Sequence, residues 1–175
     1  MNVMFANTSA PFNTWKPVDL IYENQEKLSK LFLGNIGSYN NKIFLMENKI
    51  RAIVSICPEV ISPKSDEFIL DHLLLPILDS EKAEIFEELD RVADFVEKHM
   101  NLGNSVLVHC MAGSSRSAAF VIGYLMRKNN WCFEKTYLFV KEKRAQVFPN
   151  SGFQRQLRMY EKKLFFNKEN KSLEK

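Results

Sequence analysis

The amino-acid sequence predicts an α/β fold in a single domain. Short apolar runs rich in β-branched residues alternate with segments in which apolar residues recur at spacings of three and four. These are the periods of strands and helices, and their alternation along a chain is typical of α/β domains. With 175 residues, 46% of them hydrophobic, the chain can bury one sizeable core but not comfortably two.

The first third of the chain predicts three strands and one helix. Val18–Tyr22 alternates apolar and polar residues, and Leu31–Gly34 is a short apolar run closed by glycine, so both are predicted strands. Ser38–Lys49 is predicted to be a helix. Arg51–Cys57 is predicted to be a buried strand that ends at Pro58, because proline has no backbone donor to continue a ladder.

The remainder predicts two more strands and four helices. Phe68–Leu75 is an apolar strand, and Val106–His109 is a short β-branched one. Between them, Glu81–Met100 carries apolar residues at helical spacing and is stopped by Gly103. Three further helices are predicted at Ala118–Asn129, Phe133–Lys143 and Phe153–Phe166.

These elements place one domain at residues 17–166, with an N-terminal arm at 1–16 and a polar C-terminal tail at 167–175. No apolar run approaches the length needed to cross a bilayer, so membrane insertion is not expected. The first ten residues have neither the basic nor the apolar region of a secretory signal, and the three cysteines form no CxxC pair. We therefore expect a cytoplasmic protein with access to the nucleus.

The net charge of +3 hides an asymmetry between the two parts of the chain. Residues 127–175 contain 13 Lys and Arg and 5 Asp and Glu, a net charge of +8. Residues 1–126 contain 11 Lys and Arg and 16 Asp and Glu, a net charge of −5. A solvated helical surface is the favoured interpretation, and steering of anionic substrates is the alternative. Because stacking aromatics are not interleaved with this charge, no nucleic-acid partner is expected.

The segment His109–Ser117 joins a predicted strand to a predicted helix, which is where α/β domains hold ligands. Its small residues let the backbone curl closely, so that the amides of residues 111–116 can point inward at a tetrahedral oxyanion. The sequence therefore predicts a phosphate site formed by Met111, Ala112, Gly113, Ser114, Ser115 and Arg116.

Cys110 and Arg116 are the candidate nucleophile and phosphate clamp. A helix N-terminus and a nearby guanidinium favour a thiolate by charge attraction. Arg116 can return to the mouth of the loop and present a planar fork to two phosphate oxygens. In-line attack by the Cys110 sulfur would form a phosphoenzyme, in a cycle that requires neither a metal nor another cofactor.

Asp79 is the candidate general acid, because it follows an apolar strand region and precedes a predicted helix. The competing interpretation of Asp79 is a helix N-cap or a solvent-facing loop carboxylate. Asp71 is a second candidate acid, but it lies inside a predicted strand. Ser117 can donate a hydrogen bond to the sulfur and ease its departure when the phosphoenzyme is hydrolysed.

The loop resembles a known signature. His109-Cys110, five further residues, Arg116 and Ser117 resemble the HCxxxxxR(S/T) motif of protein tyrosine phosphatases, and the loop is similar to HCxAGxSRS of the dual-specificity branch. The resemblance covers roughly residues 18–165. It includes Leu33-Gly34-Asn35, Pro76-Ile77-Leu78-Asp79, Gly123-Tyr124-Leu125-Met126, and Pro149-Asn150 followed by Phe153.

The resemblance implies a protein tyrosine phosphatase-like fold, with a central, mostly parallel sheet flanked by helices. It also implies the small, atypical type without a kinase-docking domain. At matching positions it assigns Cys110 as nucleophile, Arg116 as phosphate binder, Asp79 as general acid and Ser117 as an aid to thiolate departure. His109 would hold the loop and favour the thiolate, and Asn150 would pack near the loop, with a simple turn role as the alternative.

The function expected from the resemblance is hydrolysis of phosphotyrosine and phosphoserine or phosphothreonine in proteins through a cysteinyl-phosphate intermediate. The expected partners are phosphorylated proteins, kinases included, and the expected state is a monomer. The alternatives are a phosphatase of phosphoinositides or RNA 5′ phosphates, and a phosphoprotein-binding adaptor. Related lipid phosphatases carry lysines where this loop has Met111, Ser114 and Ser115, which disfavours phosphoinositides.

Overall fold

The computed structural model describes residues 16–58 and 66–173. The predicted arm, apart from residue 16, and the last two residues of the predicted tail lie outside the described residues. One five-stranded sheet has the order β1-β2-β5-β3-β4. Within the described residues only the pair β1 and β2 is antiparallel, which confirms the predicted α/β fold with a mostly parallel sheet. The strands are β1 Val18–Asn24, β2 Ser29–Gly34, β3 Ile50–Ile56, β4 Asp71–Leu75 and β5 Ser105–His109.

Helices cover both faces of the sheet. They are α1 Ile36–Asn40, α2 Lys42–Glu47, α3 Phe86–Asn101, α4 Arg116–Asn129, α5 Phe133–Lys143 and α6 Ser151–Leu173. Residues of α1 and α2 share one buried cluster with one face of the sheet, and residues of α3 to α6 share a larger cluster with the other face. The sheet is therefore the middle layer of three, as its near-continuous apolar strands require.

The central strand β5 shows how the pattern of residues produces these layers. Val106 and Val108 belong to the larger cluster, and Leu107 between them belongs to the smaller one. All three side chains are buried, because alternate residues of a strand point to opposite faces and both faces carry helices. The loop that follows His109 thus begins from the central, fully buried strand of the sheet.

The first predicted helix is instead two short helices. The prediction of one helix over Ser38–Lys49 was wrong because Asn41 interrupts it with a φ of −86° and a ψ of 89°. The Asn41 side chain accepts a hydrogen bond of 3.0 Å from the amide of Phe44 and so caps the second helix. Asparagine bonds readily to nearby backbone amides in this way, which favours caps over helix interiors.

The region between residues 66 and 86 contains less regular structure than predicted. The predicted strand Phe68–Leu75 starts only at Asp71, because Ile69 donates to the Asp66 carbonyl in a turn. The predicted helix Glu81–Met100 starts only at Phe86. Its first amides donate to the side-chain oxygen of Gln156, at 2.7 Å from Ile85 and 3.0 Å from Phe86, so a residue of α6 caps α3.

Helix α6 is longer than predicted at both ends. It begins at Ser151 and continues past Phe166, the predicted end, to Leu173. The segment 167–173, predicted as a polar tail, is therefore helical. Its sequence contains neither glycine nor proline, the residues that most often end a helix.

Part of the basic C-terminal region is paired within the fold. Asp90 of α3 accepts hydrogen bonds from Tyr160 at 2.5 Å, Lys163 at 2.8 Å and Arg127 at 3.1 Å. Burial alone would raise the pKa of the Asp90 carboxyl, but these three hydrogen bonds outweigh burial and hold that pKa below its usual value. The charge asymmetry of the sequence thus partly reflects acidic α3 packing against basic α4 and α6.

None of the helices described here combines the length and the apolar character required to span a membrane.

Candidate active site

The candidate site lies where the parallel strands end. The carboxyl ends of β2, β3, β4 and β5 meet at one edge of the sheet, because these strands run in the same direction. Cys110 follows β5, and the segment that carries Asp79 follows β4. The loop of residues 110–115 then leads into α4, which begins at Arg116 as the phosphate-loop prediction requires.

Cys110 is buried, with 1% of its surface exposed. Its sulfur accepts a hydrogen bond of 3.2 Å from the amide of Gly113 and one of 3.1 Å from the hydroxyl of Ser117. Both donors are residues predicted for the site. The sulfur also lies close to the start of α4, whose N-terminal amides favour an anion.

The loop carbonyls are held away from the loop interior. The carbonyl of Met111 accepts from the amide of Ile36 at 3.2 Å, and that of Ser114 accepts from the amide of Phe148 at 2.8 Å. The carbonyls of the two intervening residues accept from side chains outside the loop. Because each peptide is planar and trans, an outward carbonyl places the next amide on the opposite side. The amides of residues 112–115 are thereby directed inward, as an anion-binding nest requires.

Gly113 is required by this geometry. Its φ is +69°, a conformation that side chains disfavour. A Cβ atom at this position would lie 2.5 Å from the carbonyl oxygen of Gly34 and 2.7 Å from Nη2 of Arg144. Any larger residue would therefore push the loop away from its support.

The Arg116 guanidinium is buried, and its Nε lacks a hydrogen-bond partner among the described residues. The residue is 7% exposed, and its Nη1 donates to the Ile77 carbonyl at 3.3 Å. Its Nε lies 3.8 Å from Oδ2 of Asp79 and makes no hydrogen bond to any residue in the described ranges. A buried guanidinium nitrogen without a hydrogen bond is costly, so an anionic ligand at this place would satisfy it.

Asp79 reaches the loop from the segment after β4. Its Oδ1 accepts hydrogen bonds of 2.7 Å from Ser115 and 2.9 Å from the side-chain amide of Asn150. The competing N-cap interpretation does not hold, because α3 starts at Phe86 and is capped by Gln156. Asp71 lies at the opposite end of β4, where it accepts from His99 at 3.1 Å. The structure thus places Asp79, and not Asp71, beside the loop.

Asn150 both packs near the phosphate loop and acts as a turn residue, the two roles that the sequence analysis gave as alternatives. Its side-chain oxygen accepts from the amide of Phe153 at 3.0 Å, which caps α6. Its amide group holds Asp79, and its backbone amide donates to Ser115 at 3.2 Å. The turn residue therefore also ties the acid segment to the loop.

His109 lies behind the loop in a buried polar group. Its Nε2 is 2.5 Å from the hydroxyl of Ser55, which is also 2.8 Å from Nε2 of His72. The ring of Tyr39 stacks on His109 with centroids 4.6 Å apart. A hydroxyl donates only one hydrogen, so at least one of the two histidines donates to Ser55. Ser55 and His72 could not be predicted from the sequence as neighbours of His109, because their strands are apolar and their partners are distant.

Arg144 is the main site residue that the sequence analysis missed. Although 1% exposed, it donates to the carbonyls of Gly113 at 2.7 Å and Ala112 at 3.4 Å, and to the Lys16 carbonyl at 3.0 Å. It also pairs with Asp19 at 2.7 Å. Burial lowers the pKa of the Arg144 guanidinium, and the Asp19 carboxylate opposes that shift. In the sequence, Arg144 is one of many charges in the basic C-terminal region.

Arg144→Met is expected to lower the free energy of unfolding by about 3–5 kcal/mol, because it leaves the Asp19 carboxylate and the Gly113 carbonyl without the Arg144 donor. Urea denaturation measures this loss. The double variant Asp19→Asn/Arg144→Met should recover part of the stability, because it removes the unpaired carboxylate. Arg155→Met, which alters an exposed arginine of α6, is the control and should leave the stability unchanged. Equal stability of Arg144→Met and Arg155→Met would contradict the role given to Arg144.

A family model and a related protein both indicate the same family for this chain. The family model described as the catalytic domain of dual specificity phosphatases matches residues 31–163. Dual specificity protein phosphatase 1B of Arabidopsis thaliana is 32% identical over 77% of this chain and 79% of its own length.

Two solved structures are also similar. Human DUSP28 superposes with a TM-score of 0.76 and 26% identity, covering 85% of this chain and 95% of its own. A human protein described as a tyrosine phosphatase-like serine/threonine/tyrosine-interacting protein gives a TM-score of 0.72 and 32% identity, covering 77% and 93% of the two chains. The fold around the candidate site is therefore one that this family shares.

Proposed function

The chain belongs to the dual-specificity phosphatase family, and from this premise we propose that it hydrolyses phosphotyrosine and phosphoserine or phosphothreonine in proteins. The observation that carries the proposal is the pairing of two groups on one loop. The buried Cys110 sulfur accepts two hydrogen bonds, and the buried Arg116 guanidinium lacks one at Nε within the described part of the chain. A phosphoryl group bound between them would meet a nucleophile and a cationic donor together.

In the first chemical step the Cys110 sulfur attacks phosphorus in line, and the P–O bond to the substrate breaks as the S–P bond forms. The inward amides of the loop and the fork of Arg116 stabilise the charge that spreads over the three equatorial oxygens. Asp79, held next to the loop by Ser115 and Asn150, donates a proton to the departing oxygen.

In the second step Asp79 takes a proton from water, which attacks phosphorus and displaces the sulfur. The Ser117 hydroxyl, 3.1 Å from the sulfur, donates a hydrogen bond to the thiolate as it leaves. Water supplies the oxygen of the phosphate product, and the enzyme returns to its starting state. The proposed partners of this cycle are phosphorylated proteins, kinases included, and the proposed location is cytoplasmic with access to the nucleus.

The proposal is tested by phosphate release from four substrate classes, each compared with the Cys110→Ser variant. They are phosphotyrosine peptides, phosphothreonine peptides, a phosphoinositide and a triphosphorylated RNA. Cys110-dependent release from both peptide classes is expected. Release only from the lipid or the RNA would overturn the substrate class, and tight peptide binding without any release would make the protein an adaptor.

Asp79→Asn is expected to lower kcat about 10²–10³-fold on phosphothreonine peptides, because an alkoxide leaving group depends on general-acid assistance. The kinetics of release from these peptides measure the effect. Asp71→Asn is the matched control, since this carboxylate lies at the other end of β4, and it should leave kcat unchanged. An Asp79→Asn variant with the normal rate on phosphothreonine would exclude Asp79 as the acid.

A further inference from the structure

We propose that an apolar rim around the phosphate loop selects substrates with apolar side chains two positions before or after the phosphorylated residue. We define the rim as Leu78, Met111 and Phe148. This inference rests on the proposed function and adds to it a sequence preference. It follows from three large apolar side chains that are exposed next to the candidate site although each belongs to a different segment of the chain.

The backbone of each rim residue is fixed to the site or to a site residue. Met111 follows the nucleophile and accepts a hydrogen bond from the amide of Ile36. Leu78 precedes Asp79, which is bonded to Ser115 of the loop. Phe148 donates its amide to the carbonyl of Ser114 at 2.8 Å. The rim residues therefore lie within the loop or on segments bonded to it.

Their exposure is large for residues so well anchored. Leu78 is 61% exposed, Met111 43% and Phe148 64%. A single exposed apolar residue on a surface needs no explanation, but several exposed apolar side chains on segments that adjoin a binding site are candidates for contact with the ligand. Phe148 is also partly held in place, because the Lys141 ammonium lies 5.8 Å from its ring centroid and is fixed to the Val147 carbonyl at 2.8 Å.

The charges near the loop favour the same class of substrate. Residues 110–115 contain no lysine or arginine, and the basic side chains on which the loop depends, Arg116 and Arg144, are both buried. A ligand with one phosphoryl group can satisfy Arg116, whereas additional phosphates outside the loop would meet the apolar rim, where the Lys141 ammonium beside Phe148 is already bonded to the Val147 carbonyl. This arrangement suits a phosphopeptide better than a polyphosphorylated inositol or the 5′ end of an RNA.

In an extended peptide whose phosphoryl group enters the loop, the residues two positions before and after the phosphorylated one point to the same face, about 6–7 Å away along the strand. Leucine, methionine or phenylalanine at these two positions would bury apolar surface on the rim. Serine or aspartate at the same places would gain nothing there, and aspartate would also approach the carboxylate of Asp79.

The test uses two phosphotyrosine peptides that differ only at the positions two residues before and after the phosphotyrosine, with leucine at both positions in one peptide and serine at both in the other. The wild-type kcat/KM should be about 10-fold higher for the leucine peptide, a typical discrimination by an apolar contact. Phe148→Ser should reduce this ratio to about 2-fold. The ratio is the readout because it cancels any general loss of activity.

Leu102→Ser is the matched control, since Leu102 is 68% exposed but lies before β5, at the opposite edge of the sheet. Its ratio should equal that of the wild type. p-Nitrophenyl phosphate, which has no flanking residues, is measured alongside. Equal kcat/KM for the two peptides, with p-nitrophenyl phosphate still hydrolysed, would overturn the rim proposal and leave the proposed function standing. If neither peptide nor p-nitrophenyl phosphate is hydrolysed in a Cys110-dependent manner, the proposed function fails and the rim proposal fails with it.

Discussion

Cys110→Ser is expected to lower kcat by about 10⁴-fold or more on every substrate, because a serine hydroxyl is not ionised under conditions in which a thiolate forms. Binding of a phosphopeptide should persist. Arg116 and the inward amides other than that of Gly113, which donates to the Cys110 sulfur, hold the phosphoryl group without contacting the sulfur. Steady-state kinetics and calorimetric titration with a phosphotyrosine peptide measure the two properties separately.

Cys132→Ser is the control for this substitution. Cys132 is half-buried and precedes α5, where a serine is a favourable helix N-cap. This variant should keep the wild-type kcat. If Cys110→Ser retained substantial turnover, the nucleophile assignment would be wrong, whatever the variant bound.

Arg116→Lys is expected to lower kcat/KM about 10²–10³-fold even though the positive charge is retained. A lysine ammonium is a point charge, whereas the guanidinium presents two parallel donors that match two phosphate oxygens. Lysine also cannot donate to the Ile77 carbonyl and to a ligand with the same planar geometry. The effect should appear in both kcat and KM, because the clamp acts in the ground state and in the transition state.

The matched control is Arg158→Lys, which alters an exposed arginine of α6 that pairs with Glu134. It should change neither kcat nor KM. Arg116→Ala should be at least as impaired as Arg116→Lys. If Arg116→Lys had wild-type kcat/KM, charge alone would suffice at this position, and the bidentate arrangement would have no part in catalysis.

The phosphate loop could be predicted from the sequence because its chemistry is local. The sulfur, the small residues that curl the backbone and the arginine that returns to its mouth all lie within His109–Ser117. The strand before this loop and the helix after it have clear periodicities, so their positions were predicted to within a few residues. Asp79 was found in the same way, from its place after an apolar strand.

The supports of the loop could not be predicted, because their partners are remote in sequence. Arg144 bonds to Gly113 and Asp19, and Gln156 caps α3 from α6. In the sequence Arg144 and Gln156 are polar residues of helical or loop segments, with nothing to distinguish them from solvated side chains. Only tertiary packing shows that both are buried.

The boundaries that were predicted wrongly have the same cause. Glu81–Ile85 contains good helix formers, yet α3 begins at Phe86, where the Gln156 oxygen supplies a cap. Propensity predicted the presence of this helix, and a distant side chain determined its first residue. The interrupted helix before β3 is the opposite case, since Asn41 is a local signal that the periodicity concealed.

The most direct test of the account is detection of phosphocysteine during turnover. The Asp79→Asn variant, mixed with p-nitrophenyl phosphate and rapidly denatured, should carry one phosphoryl group on the peptide that contains Cys110. The p-nitrophenolate leaving group departs readily without a general acid. Hydrolysis of the phosphocysteine intermediate, in contrast, lacks the base that Asp79 would supply. Mass spectrometry should find this group on Cys110 and not on any other residue. A phosphoryl group on a different residue, or continued turnover with Cys110 unmodified, would contradict the central claim that this protein acts through a cysteinyl-phosphate intermediate.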